Sequence, residues 1–216
     1  MKPKLVIGNK NYSSWSLRAW LLMREFGIDF DEHRIPLDLP GTKAAIAEFS
    51  DAGMVPILVV GEERIWDTLA IAETLNERYP DKQMWPADEA ARAHARSVAA
   101  EMHSGFTTLR NDMPMNCRAM GRRVHLPDAL TRDIDRIFAI WSDCHRRYEG
   151  KWLFGDFSIA DAMYAPVVLR FRTYGINIPD SAGYYPQRLL ESEAMQEWLL
   201  DSESETEVII YDEAGQ

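Results

Sequence analysis

Three hydroxyls crowd the segment Asn11 to Trp20, Asn-Tyr-Ser-Ser-Trp-Ser-Leu-Arg-Ala-Trp, and they are the side chains of this 216-residue sequence best placed to do chemistry. Leu5, Val6 and Ile7 form an apolar run of strand length before them. Leu17, Trp20, Leu21 and Met23 to Phe26 recur at roughly helical spacing after them, as far as Gly27. Ser13, Ser14 and Ser16 therefore stand at a strand-to-helix turn. A helix start carries unpaired N–H groups and the positive end of the helix dipole, so it stabilises an anion and helps a bound thiol ionise. Serine is also a favoured N-cap, and the same hydroxyls can serve the helix alone.

Composition narrows the partners. With 46% hydrophobic side chains the chain can bury a real core, and its formal charge of −10 argues against a general affinity for nucleic acid. The arginine pairs Arg122-Arg123 and Arg146-Arg147 form no long basic run. Cys117 and Cys144 are the two cysteines, outside any Cys-x-x-Cys pattern, which suits a reducing compartment and disfavours a zinc site. The apolar run after Met-Lys-Pro-Lys is too brief for a signal peptide, and no apolar segment approaches the ~18 residues of a membrane span. A cytoplasmic protein with no membrane partner is expected.

The elements that would position the serines follow in order. Ile28 to Ile35 reads as a second strand before Pro36, and Thr42 to Phe49 as a short helix. Asp51-Ala52-Gly53 turns the chain into a third strand, Met54 to Val60. A hairpin at Gly61-Glu62-Glu63 leads to Arg64-Ile65-Trp66, and Asp67-Thr68 opens a helix with Leu69, Ile71, Ala72 and Leu75 as its apolar face. Asp81 to Pro86 is polar and proline-punctuated and separates this mixed segment from one with no strand signal. There, helices are expected from Asp88 to about Leu109, from Pro127-Asp128 to Gly150, from Ser158, and from Gln187 to Leu200, with an acidic tail from Asp201. Asn111 to Leu126 gives no clear pattern. Ser158-Ile159-Ala160-Asp161 has capping-box spacing, and Ala162 to Phe171 is nearly all apolar, so that helix should be central.

This element order resembles the cytosolic glutathione transferases over nearly the whole chain. Ser13-Ser14-Trp15-Ser16-Leu17-Arg18 is similar to the serine-class active-site loop, Val55-Pro56 to the cis-proline turn, Asp67-Thr68 to the usual Glu-Ser pair, and Ser158 to Asp161 to the capping box of the helical domain. The loop is most similar to the zeta class, which carries a cysteine where this chain has Trp15. That missing thiol separates it from the omega and glutaredoxin-like branches. The resemblance implies an α/β plus all-α fold: a thioredoxin-like βαβαββα domain over residues 1–80 that binds glutathione, then an all-helical domain over residues 87–216 bordering the electrophile. It also implies a homodimer, glutathione as co-substrate and no metal.

The resemblance also assigns roles. A hydroxyl at Ser13, with Ser14 as second choice, would donate to the glutathione sulfur and hold it as thiolate. Val55, turned by a cis Pro56, would pair with the cysteinyl backbone, while Asp67 and Thr68 would meet the γ-glutamyl group. Trp15 joins this binding set, and Lys43 is the nearest cation for the glycyl carboxylate. Tyr12, His103 and Phe106, with Ser104 beside them, would line the electrophile pocket; Met113, Met115, Met120 and Trp141 either add to it or fill core. Arg18 is expected to be structural or an electrostatic aid, and Ser158 and Asp161 to serve folding. The first function implied is glutathione transfer to an apolar electrophile, with peroxide reduction as a secondary activity. The alternatives are a zeta-type cis-trans isomerase of the maleylacetoacetate kind and a non-catalytic binding module like the stringent-starvation-type regulators.

Overall fold

The structure, a computed structural model, describes residues 2–215. Its first strand, β1 (Lys4–Ile7), buries Leu5, Val6 and Ile7 completely, because it lies inside a four-stranded sheet of order β2-β1-β3-β4 that is covered on both faces. Leu5 and Ile7 join the main core, whereas Val6 packs with Ile35, Ile46 and Ile57 on the other face. β2 (Asp31–Arg34) pairs parallel with β1, while β3 (Ile57–Val60) and β4 (Glu63–Ile65) continue antiparallel. β2 is shorter than the Ile28 to Ile35 run and exposes Asp31, Glu32 and His33 at the sheet edge, where charge discourages further pairing. β3 starts only after Pro56, which has no N–H for the ladder. With α1 (Ser14–Glu25), α2 (Thr42–Ala47) and α3 (Thr68–Arg78), the order is the expected βαβαββα.

From Glu89 on, the described chain is helical: α4 (Glu89–Ser104), α5 (Thr107–Asp112), α6 (Asp128–Arg147), α7 (Ile159–Tyr174), α8 (Tyr185–Glu191) and α9 (Glu193–Glu203). α7 is the central helix, buried along almost its whole length and packed on both α1 and α4. Its start is fixed as the sequence suggested. The Ser158 N–H and Oγ both donate to one oxygen of Asp161 at 2.8 Å, and the Leu153 N–H donates to the other at 2.8 Å. Burial pushes the Asp161 carboxyl up to about 7, and these three donors work in the opposite direction.

Three stretches depart from the sequence reading. The helix expected to run to Leu109 stops at Ser104, because Gly105 leaves helical backbone and Phe106 takes a left-handed φ of 58°. The helix expected from Gln187 to Leu200 is two helices, since Ser192 turns extended and caps α9 by accepting the Met195 N–H. The acidic tail folds back as a strap on the serine turn. Glu205 accepts the N–H groups of Lys10 (2.6 Å) and Asn11 (3.0 Å), Arg34 reaches Glu207 at 2.9 Å, and Glu213 accepts Tyr12 Oη at 2.7 Å. Asn116 and Arg118, from the stretch without a clear pattern, bind the same strap.

Candidate active site

The serine turn sits between a buried strand and the N-terminus of α1. Ser13 is the N-cap: its Oγ accepts the Ser16 N–H at 3.3 Å and donates to Ser16 Oγ at 2.7 Å. Ser16 Oγ also accepts the Gly8 N–H at 3.0 Å, which ties the turn to the end of β1. Ser14 is the first helical residue, and its Oγ accepts from Arg170 Nη2 of α7 at 3.2 Å. Both Ser13 and Ser14 line a cavity of about 1030 Å³ that also takes in Tyr12, Trp15, Lys43, Val55, Pro56, Asp67 and Thr68.

Across that cavity lie Val55, Pro56, Asp67 and Thr68. The Val55–Pro56 peptide is cis, as is Trp66–Asp67. Val55 precedes β3, and among the described residues no hydrogen bond takes up its N–H or C=O, so both are open to an extended peptide. Asp67 caps α3 through one carboxylate oxygen, which accepts the N–H groups of Leu69 (2.9 Å) and Ala70 (3.3 Å). Its other oxygen lies 3.0 Å from His103 Nε2. The Thr68 hydroxyl donates to the Trp15 carbonyl at 3.3 Å, and Thr68 is the first residue of α3, whose N-terminus favours an anion. Lys43 is exposed on the cavity rim.

The remaining wall is cationic. Arg110, on α5, reaches back to the end of α4, where it donates through Nε to the Gly105 carbonyl at 3.0 Å and through Nη2 to the Met102 and His103 carbonyls. These are the unpaired acceptors of a helix C-terminus, and they favour a cation there. Arg170 Nη1 donates to the Met113 carbonyl, and the fully buried Arg18 donates through Nε to the Met163 carbonyl at 2.8 Å. Arg18 and Arg110 lie over the Trp15 ring at 4.5 and 4.8 Å. Carbonyl and hydroxyl oxygens rather than carboxylates accept from all three guanidinium groups, and of the three Arg110 and Arg170 line the cavity. Burial lowers the pKa of each, and Arg170, further opposed by Arg110, falls to about 10, still cationic at neutral pH.

Of the residues proposed for the electrophile pocket, Tyr12 lines the cavity and His103 and Phe106 do not. His103 instead touches Asp67 and meets the Trp15 ring edge-on at 5.4 Å, and Phe106, turned inward by the break after α4, is buried in the core. Met115 lines the cavity, whereas Met113 and Trp141 are fully buried core and Met120 is exposed. Reading the sequence missed Arg110, Arg170 and Asp212 as wall residues. One signal was present: Arg170 interrupts the apolar run of α7, and a cation in a central helix needs a reason. Cys117 and Cys144 are buried away from the cavity, and burial pushes both thiols up to about 12. Among the described residues there is no cluster of three or more His, Cys, Asp or Glu suited to a metal, and no helix long and apolar enough to cross a membrane.

Residues 12–78 match the family model for the glutathione S-transferase N-terminal domain. A probable maleylacetoacetate isomerase of Caenorhabditis elegans is 33% identical over 110 residues, 51% of this chain and only half the length of that relative. The structure of a glutathione transferase homolog from Burkholderia GL BGR1, solved with bound glutathione, superposes with a TM-score of 0.72 over 95% of this chain and all of that one, at 24% identity. A zeta-class glutathione S-transferase of Euphorbia esula is 30% identical over 175 residues, 77% of this chain and 76% of the relative. With that identity and coverage, the chain is a zeta-like member of the glutathione S-transferase family.

Proposed function

We propose that this protein uses glutathione against a small electrophile that carries a carboxylate. The observation that carries this reading is the pair of arginines, Arg110 and Arg170, in the cavity wall beside Ser14, whose hydrogen bonds go to carbonyl and hydroxyl oxygens rather than to carboxylates. An apolar electrophile alone would leave two desolvated cations facing it, which is costly, whereas a carboxylate fits a guanidinium fork. Leu37, Met54, Pro114 and Met115 supply the apolar part of the same cavity.

Glutathione supplies the thiol nucleophile, and the chain's part is to hold it ionised. Hydroxyl protons rotate. With Gly8 donating into Ser16 Oγ, the Ser16 proton can turn onto Ser13 Oγ and release the Ser13 proton toward the cavity, a chain in which each bond polarises the next. Ser13 is thus assigned as the donor to sulfur. Arg170 behind Ser14 and the start of α1 add positive potential at the same place. The Val55 backbone takes the cysteinyl unit, Asp67 the γ-glutamyl amino group, the start of α3 its carboxylate, and Lys43 the glycyl carboxylate.

The isomerase reading has specific support in the maleylacetoacetate isomerase relative and in the cationic wall, since both the transferase and the isomerase begin with the thiolate at an electron-poor carbon. Isothermal titration with glutathione is the first test: micromolar to millimolar binding is expected, and no heat would leave only a binding module on this fold. Assays with maleylacetoacetate, a chlorinated nitrobenzene and cumene hydroperoxide then separate the activities, and the carboxylated substrate should be turned over with the highest kcat/KM. A preference for the neutral nitrobenzene would reject the role given to the arginines.

A further inference from the structure

The strap of residues 204–215 carries a carboxylate, that of Asp212, to the part of the cavity lined by Arg110 and Arg170. Glu205 and Glu213 anchor it, the first on the Lys10 and Asn11 N–H groups, the second on Tyr12 Oη, Asn116 Nδ2 and Arg122. Between these anchors Val208, Ile210 and Tyr211 face solvent, while Asp212 turns inward and lines the cavity with Tyr12, Ser13, Ser14 and Arg170. No side-chain hydrogen bond or ion pair within the described residues engages the Asp212 carboxylate. The charged or titratable groups that face it are Arg170 and Tyr174 of α7, Asp38 of the loop after β2, and the adjoining Glu213.

We propose that Asp212 is a specificity-determining residue of the electrophile subsite: its carboxylate shares the Arg170 guanidinium with the incoming substrate, so a carboxylate-bearing electrophile binds in competition with it. The inference rests on reading this cavity as a glutathione site with Arg110 and Arg170 on the electrophile side. An anion entering beside an ionised Asp212 meets a like charge that offsets part of the attraction of Arg170. A neutral electrophile meets neither penalty. Burial pushes the Asp212 carboxyl up to about 6 against the pull of Arg170, so mild acidification neutralises it. Below that value the like charge is gone and an anion binds more tightly; above it the repulsion returns.

Fumarate, ionised throughout the pH window used, is the probe, and calorimetric titration of the full chain without glutathione reads the subsite directly. At neutral pH, Asp212→Asn should bind fumarate about 10-fold more tightly than the unaltered protein, the effect of about one pKa unit of interaction. The unaltered protein should tighten by a similar factor as pH falls from about 8 to about 5.5, and Asp212→Asn should vary less than about threefold over the same range. Asp38→Asn, which removes an exposed charge at the rim, should stay within about twofold of the unaltered protein. Because Glu205 and Glu213 still anchor the strap, both variants should keep their thermal midpoint; Asp212→Ser should repeat the Asn result. Equal fumarate affinity with and without Asp212, a pH response that survives its removal, an Asp38 variant that matches the Asp212 one, or no fumarate binding by any of them would each overturn the proposal. Failure of the unaltered protein to bind glutathione would strike the broader reading instead and leave the fumarate comparison standing.

Discussion

At Ser13 one oxygen meets two demands, because the N-cap of α1 must accept the Ser16 N–H while a thiolate would need the hydroxyl proton. The demands are compatible, since the cap uses a lone pair and the sulfur uses the hydrogen. A hydrogen bond to a charged group contributes about 1.5 to 3 kcal/mol, which is about one to two units on a thiol pKa. Ser13→Ala should therefore raise the bound thiol's pKa by that amount and lower turnover roughly 10- to 100-fold at neutral pH. Half-saturation by glutathione should shift only a few-fold, because Val55, Asp67 and Thr68 are untouched. Activity of the variant should recover as pH rises, when hydroxide completes the ionisation the serine had favoured. Thiolate absorbance against pH checks this: an unchanged profile in Ser13→Ala and a lost one in Ser14→Ala would move the donor to Ser14. If both variants lose only thermal stability, the hydroxyls are caps and the mechanism is wrong.

At the scale of elements, what the sequence disclosed was local and what it hid was distant. α7 was legible because its cap and its apolar run lie within one segment, Ser158 to Phe171. Ser158→Ala should accordingly destabilise the protein by about 1 to 2 kcal/mol in denaturant, with glutathione affinity of the folded fraction unchanged. An unchanged denaturation midpoint with lost ligand binding would mean that scaffold had been mistaken for site. The break after α4 was less legible, since Gly105 ends a helix visibly but nothing nearby shows that Phe106 turns into the core and hands the wall to Arg110. The strap was illegible. Its residues read only as an acidic tail, and the fold alone brings Glu205 to the backbone of Lys10 and Asn11 across almost the whole sequence. Arg34, Arg118 and Arg122 hold that strap from positions that no local pattern connects to it.

For the molecule as a whole, a net charge of −10 surrounds a cavity that sets Arg110 and Arg170 beside Ser13 and Ser14, so a small anion entering this acidic protein there meets two guanidinium groups. The mouth has an apolar lip as well: Met54 and Trp66 line the cavity and are 68% and 52% exposed. Large apolar side chains left open beside a binding site are costly in an isolated subunit, and a twofold partner covers them twice with one set of contacts. The protein is therefore expected to be a homodimer whose interface includes this lip, with about 800 Å² buried per subunit if it is of ordinary size. Light scattering should give twice the 24.8 kDa chain mass across micromolar concentrations. Met54→Lys combined with Trp66→Ala should shift the equilibrium toward the single chain and weaken glutathione binding, since both side chains belong to the cavity wall. A single 24.8 kDa species in the unaltered protein would remove the dimer. A dimer untouched by the double substitution would keep it but place its interface elsewhere, leaving the lip to the substrate alone.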